Sequence, residues 1–82
     1  MVPAILPIPP DHFRTILELD GYSLRLETEN NWTLYKVEAD YPVIVIPKHG
    51  DLISVSIMMG ILDQIGMDNK RYFSLLAKVI PS

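Results

Sequence analysis

The chain has 82 residues, a formal net charge of −3, 49% hydrophobic residues and no cysteine. That length sets one small domain, burying roughly 60–65% of its unfolded surface, and the missing cysteines exclude disulfides, thiolate metal sites and thiol catalysis. A negative balance is a poor global match for nucleic acid, whose affinity comes largely from Lys and Arg displacing counterions.

The first ten residues, MVPAILPIPP, hold four of the seven prolines. Closely spaced prolines fix φ and remove backbone donors, so residues 1–10 read as an extended arm. Val2, Ile5, Leu6 and Ile8 give the arm apolar surface. It reads first as a tail laid over the domain's own core edge, and alternatively as a partner-binding arm. It has no basic leader, so neither a secretion signal nor a membrane span is expected, and the cytoplasm is the default compartment.

Residues 11–82 form the domain itself. Asp11 is the expected N-cap of a first helix, with Phe13, Ile16 and Leu17 at helical spacing and Asp20-Gly21 ending it. Ser23 to Thr28 alternates, Leu24 and Leu26 on one face against Ser23, Arg25 and Glu27 on the other, as a half-buried strand does. Glu29-Asn30-Asn31 is a turn. Trp32 to Val37 is a second strand, Glu38-Ala39-Asp40 a second turn, and Pro42 opens a third strand over Val43 to Ile46. Ser54 or Ser56 caps a second helix whose apolar stripe is Ile57, Met58, Ile61, Leu62 and Ile65. Gly60 in its middle costs about 1 kcal/mol relative to alanine, which predicts close packing there. Gly66 ends it. Asp68 caps a third helix, Met67 and Tyr72 form a hydrophobic staple, and Tyr72, Phe73, Leu76 and Val79 are its buried face, with Pro81 stopping the chain.

The expected fold is α+β in the order α-β-β-β-α-α. A three-stranded antiparallel meander is covered on one face by helices, chiefly the first two, and Tyr35 is left on the open face.

Taken in that order, the residues resemble the HicA toxin family over about His12 to Leu76. The matching pieces are Gly21-Tyr22 after the first helix, then Leu24-Arg25-Leu26, then Val45-Ile46-Pro47-Lys48-His49. Ile57 through Gly66-Met67 and Asp68 to Phe73 complete the match. The resemblance implies a fold like a double-stranded-RNA-binding domain and cleavage of messenger RNA, neutralised by a HicB antitoxin. The family's catalytic residue is the histidine of a Gly-Ser-His hairpin, which a pKa near 6.5 suits to proton transfer at neutral pH. In this chain the aligned turn reads Glu29-Asn30-Asn31, and Asn31 stands where the histidine would. An amide does not titrate near pH 7 and cannot shuttle protons. Glu27, Glu29, Glu38 and Asp40 beside the two turns would also repel a phosphate backbone.

His49, at the family's Val-Pro-x-His position, is then the remaining catalytic candidate. His12 reads as a surface residue. Arg14, Arg25, Lys36 and Lys48 are scattered over several elements, as solvated charges are. Lys70-Arg71 beside Tyr72-Phe73 is explained by the staple and core. The leading expectation is a non-catalytic HicA-like domain that acts by binding protein, a HicB-like antitoxin or a second copy of itself, through Ile5, Leu6, Tyr35 and Met59. The alternatives are a messenger-RNA-cleaving toxin using His49, and a non-catalytic RNA binder using Lys36, Lys48, His49 and Tyr35. No metal or cofactor is expected, since two histidines are too few for a histidine-rich site.

Overall fold

A computed structural model describes residues 4–38 and 42–80. Its elements are α1 (Pro10–Leu19), β1 (Ser23–Glu27), β2 (Asn31–Tyr35), β3 (Ile44–Pro47), α2 (Val55–Ile65) and α3 (Asn69–Val79). The sheet is antiparallel with strand order β1-β2-β3. Element order and sheet type are those expected. Ala39, Asp40 and Pro81, like Val2 of the arm, lie outside the described residues.

Asp11 does not cap α1. The N-cap is Pro9, whose carbonyl accepts from the N–H groups of His12 and Phe13 at 3.0 and 3.2 Å. Pro10 takes the first helical position, where its fixed φ is preset for a helix and its missing N–H is not needed. Asp11 falls inside the first turn, where its charge still favours the helix dipole. Phe13, Ile16 and Leu17 are fully buried, and Gly21, at φ +104°, turns the chain out of the helix.

The pairing of β1 overturns the expected alternation. Leu24 stands opposite Leu34, but Leu26 stands opposite Thr33, with the register shifting between them. Arg25 is therefore a bulge, an extra residue that inverts the side-chain phase of the rest of the strand. Leu24 stays on the side of Leu34 but is itself 37% exposed, and Leu26 is displaced to the open face at 56%, so all five β1 residues are exposed and the strand is not half-buried as expected. In β3 the alternation is regular: Ile44 and Ile46 are buried, and Val45 between them is 53% exposed.

Ser54 caps α2, its hydroxyl accepting from the Ile57 N–H at 3.3 Å, with the Ser56 hydroxyl beside it. The buried stripe is narrower than expected. Met58, Ile61 and Leu62 are buried, whereas Ile57 is exposed and Ile65 half-buried. Gly60 is exposed too, and a Cβ built on it meets nothing within 4 Å. The expected close packing is absent; the glycine lies on the outer side of the helix.

Gly66 ends α2 in the left-handed conformation at φ +71°. The Met67 N–H reaches back to the Leu62 carbonyl at 2.9 Å and the Gly66 N–H to Asp63 at 3.2 Å, which satisfies the last turn. Asp68 then caps α3, accepting from the Arg71 N–H at 2.8 Å. The buried pair on α3 is Tyr72 and Leu75 rather than the four residues expected. Phe73, Leu76 and Val79 are half-buried shoulders, Phe73 meeting the Tyr72 ring edge-on at 5.2 Å.

The helical cover also differs from expectation. α1 packs against both β3 and α3, so α3 shares the layer assigned to the first two helices. The core joins Phe13, Ile16 and Leu17 to Leu34, Ile44 and Ile46 of the sheet, with Met58 and Leu62 of α2 and Tyr72 and Leu75 of α3. The arm crosses this core in cis. Ile8 is buried, its carbonyl accepting from the Ile53 N–H at 2.8 Å, and Ile5 packs against the cluster. Leu6 points away, 67% exposed. Among the described residues no helix is long and apolar enough to cross a membrane.

Candidate functional site

The sequence candidates separate into two polar corners at opposite ends of β2 and two apolar surfaces on opposite sides of the sheet.

The first corner joins the β1–β2 hairpin to the segment after β3. Thr28 and Asn31 close the hairpin: the Thr28 N–H donates to the Asn31 carbonyl at 2.9 Å, and the Thr28 hydroxyl accepts from the Asn31 N–H at 3.1 Å. Across from them the Lys48 N–H donates to the Asn30 carbonyl at 3.1 Å, and the exposed His49 ring bonds through Nε2 to the Glu29 carbonyl. The Lys48 ammonium sits 2.7 Å from the Glu27 carboxylate. That hydrogen bond, and then the same ammonium's charge, hold Glu27 below its ordinary value of 4.5. Opposite Glu27 on β2 is Trp32, whose ring lies under the Arg14 guanidinium of α1 at 4.9 Å, and Arg14 pairs with Glu18 at 3.5 Å.

His49 is thus brought to the hairpin that carries Asn31. Its Nε2 is engaged on a main-chain carbonyl, an acceptor that takes a proton donor and offers none. The neighbours that would assist acid–base work are an acceptor carbonyl and a lysine already paired with Glu27.

The second corner lies past the other end of β2. The Asp20 carboxylate receives Lys36 Nζ on one oxygen at 3.3 Å and Arg71 Nε and Nη2 on the other at 3.2 and 3.1 Å. Lys36 also stacks over the Tyr22 ring at 5.1 Å. Beside this knot is a shallow cavity of about 230 Å³ lined by Asp20, Lys36, Gly66, Met67, Asp68 and Arg71. Two carboxylates face two cations across it, so it has no net formal charge to select an ion. Lys36 and Lys48 are separated by the run of β2 from Asn31 to Tyr35, roughly 13 Å at strand rise. They do not make one cationic groove.

The four expected interface residues divide as well. Ile5 and Met59 meet, with Leu62 and Met67, around a small cavity of about 170 Å³ on the helical side. Leu6 projects from the arm. Tyr35 is half-buried on the opposite, open face of the sheet, where the side chains of Ser23, Leu26, Thr33 and Val45 share its side of the ladder. Among the described residues no group of three or more His, Asp and Glu is placed to hold a metal ion.

Two contributors are not apparent in the sequence. Asp20 is legible there only as a helix terminator, because its partners lie 16 and 51 residues away. Leu26 belongs to the core side by simple alternation, and only the bulge puts it on the open face beside Val45. Comparison of the chain with protein-family models, with curated proteins and with solved structures finds no match.

Proposed function

We propose that this chain is a HicA-like domain without the family's nuclease chemistry, and that it works by binding protein through the open face and free edge of its sheet. The observation that carries this reading is the division of surface. Leu26 and Val45 stand exposed on the open face, and Val43 is exposed just before β3. Lys36 and Lys48, the cations an RNA would need, are each held by a carboxylate at opposite ends of β2. An apolar centre with neutralised charges at the rim suits a protein partner better than a phosphate backbone. The HicA-like part of the proposal rests on the order of motifs, Val45 through His49 and then the helix ending at Gly66-Met67.

The test is to incubate the purified chain with structured and single-stranded RNA beside His49→Ala and Asn31→His variants. The expected result is no cleavage and no salt-sensitive retention of RNA by the wild type. Cleavage that His49→Ala abolishes would overturn the proposal and restore the toxin reading. Cleavage gained only by Asn31→His would support it, as a scaffold lacking its proton carrier.

A further inference from the structure

The two edges of the sheet are unlike. Lys48 stands opposite Asn30 in a register that continues as Asn31↔Pro47, Trp32↔Ile46, Thr33↔Val45 and Leu34↔Ile44, and its N–H bonds the Asn30 carbonyl. Bonded and non-bonded positions alternate along an antiparallel pair. Ile46 and Ile44 therefore bond to β2, while Pro47 and Val45 turn their backbone groups away from it. Pro47, with no N–H to give, suits a non-bonded position.

β3 is the last strand of the sheet, so the outward N–H and C=O of Val45 lie along its edge. Val43 shares that parity, and both valines are exposed. The opposite edge, β1, is interrupted by the Arg25 bulge and carries Arg25 and Glu27, devices that discourage the addition of another strand. Between Val43 and Pro47 the β3 edge has neither charge nor bulge.

We infer that β3 pairs antiparallel with β3 of a second copy of this chain, about a twofold axis through Val45; this rests on the reading that the domain works by binding protein. A twofold contact must set the same patch against itself. Centred on Val45, the two Val45 residues exchange a reciprocal pair of hydrogen bonds. Each Val43 N–H then reaches the other copy's Pro47 carbonyl, the one backbone group that proline still offers. Centring on Pro47 instead would oppose two residues without donors and forfeit the reciprocal pair. The Val45 register sets valine against valine and opposes no like charges, because Lys48 lies beyond the paired stretch and is held by its own Glu27. Pairing also joins the two open faces into one apolar surface running from Leu26 of one copy to Leu26 of the other.

So short an edge suits a weak, transient contact, and a dissociation constant on the order of 100 µM is expected. The test is sedimentation of the full chain at about 10 µM and about 1 mM, concentrations that bracket such a constant, with residue-resolved amide exchange at both. The weight-average mass should rise from near the monomer's at the lower concentration to nearly twice it at the higher. Exchange of the Val45 amide should slow several-fold, while the Ile44 and Ile46 amides, already bonded to β2, stay unchanged. Val45→Lys, which sets two ammonium groups across the axis, should restore the monomer. Leu26→Lys, on the far strand of the same face, should leave the dimer intact. A monomer at both concentrations would overturn the inference and leave the edge for an unrelated strand. So would a dimer that Leu26→Lys dissolves with the Val45 amide unaffected, since that dimer would be face to face. Neither result touches the protein-binding reading, which fails separately if the wild type cleaves RNA.

Discussion

The Lys48 ammonium lies 2.7 Å from the Glu27 carboxylate and ties the segment after β3 to the outer strand of the sheet. Its hydrogen bond and charge depress the Glu27 pKa from 4.5. A carboxylate whose folded pKa is lowered stabilises the fold above its unfolded value, and that contribution is lost as pH falls through the folded one. Glu27→Gln should therefore melt below the wild type at neutral pH, with the gap closing as pH drops below 4.5. Salt should narrow the same gap, because the pair is at the surface. Thermal melts over pH and ionic strength measure it; a gap that survives into strong acid would assign the effect to something other than this ion pair.

Gly60→Ala should stabilise the protein. The position is helical and exposed, and a Cβ there meets open space. Removing the glycine's backbone freedom is worth about 1 kcal/mol, which for a domain of this size raises Tm by roughly 4–8 °C. Circular dichroism on heating decides it, and a lower Tm would mean that the helix surface is already covered.

Asp20→Ala should be costly for a residue at a helix terminus. Its carboxylate holds Lys36 and Arg71 together, and its side chain and that of Lys36 are only 17% and 14% exposed. Removing it breaks the contacts to a part-buried Lys36 and to Arg71, whose side chain is 49% exposed, and a loss of about 1 kcal/mol is expected. Combined with Arg71→Ala, the losses should fall short of the sum, because the second change removes part of what the first had already broken. Urea midpoints of the two single variants and the double variant measure that coupling.

Met58 and Met59 are adjacent in sequence and opposite in consequence. Met58 is fully buried and Met59 is 53% exposed. Met58→Ala should cost about 2–4 kcal/mol through lost contacts and the cavity left behind, whereas Met59→Ala should stay within about 0.5 kcal/mol. Equal losses would mean that the assigned face of α2 is wrong.

Local chemistry is the legible part of this chain. Asp68 caps α3 as expected, Ser54 rather than Ser56 caps α2, and Gly66 ends α2 in the conformation that glycine favours, because each signal is complete within a few residues. The misleading positions share the opposite property. Leu26 faces outward because of one extra residue, Arg25, whose effect exists only once β1 meets β2. Leu75 is buried, and Leu76 only half so, because the direction from which α1 approaches fixes the face of α3. Gly60 suggests a packing site, but its cost in a helix is the same whether or not anything lies against it. The Asp20 cluster and the meeting of His49 with the β1–β2 hairpin require elements far apart in sequence to be assembled first.

The bridge between Ile8 and Ile53 has a consequence for the rate at which the protein comes apart. The two residues lie on either side of α1 and the whole sheet in sequence, so their hydrogen bond closes a loop that contains α1, β1, β2 and β3. Loop closure of that kind is unfavourable until the intervening strands have paired, which puts the docking of the arm after the rate-limiting step of folding. Contacts formed that late act on the unfolding limb alone. In a denaturant chevron, Ile8→Ala should leave the folding rate where it is and raise the unfolding rate. The arm is then a latch on the native state, setting how long the domain stays folded once it is made.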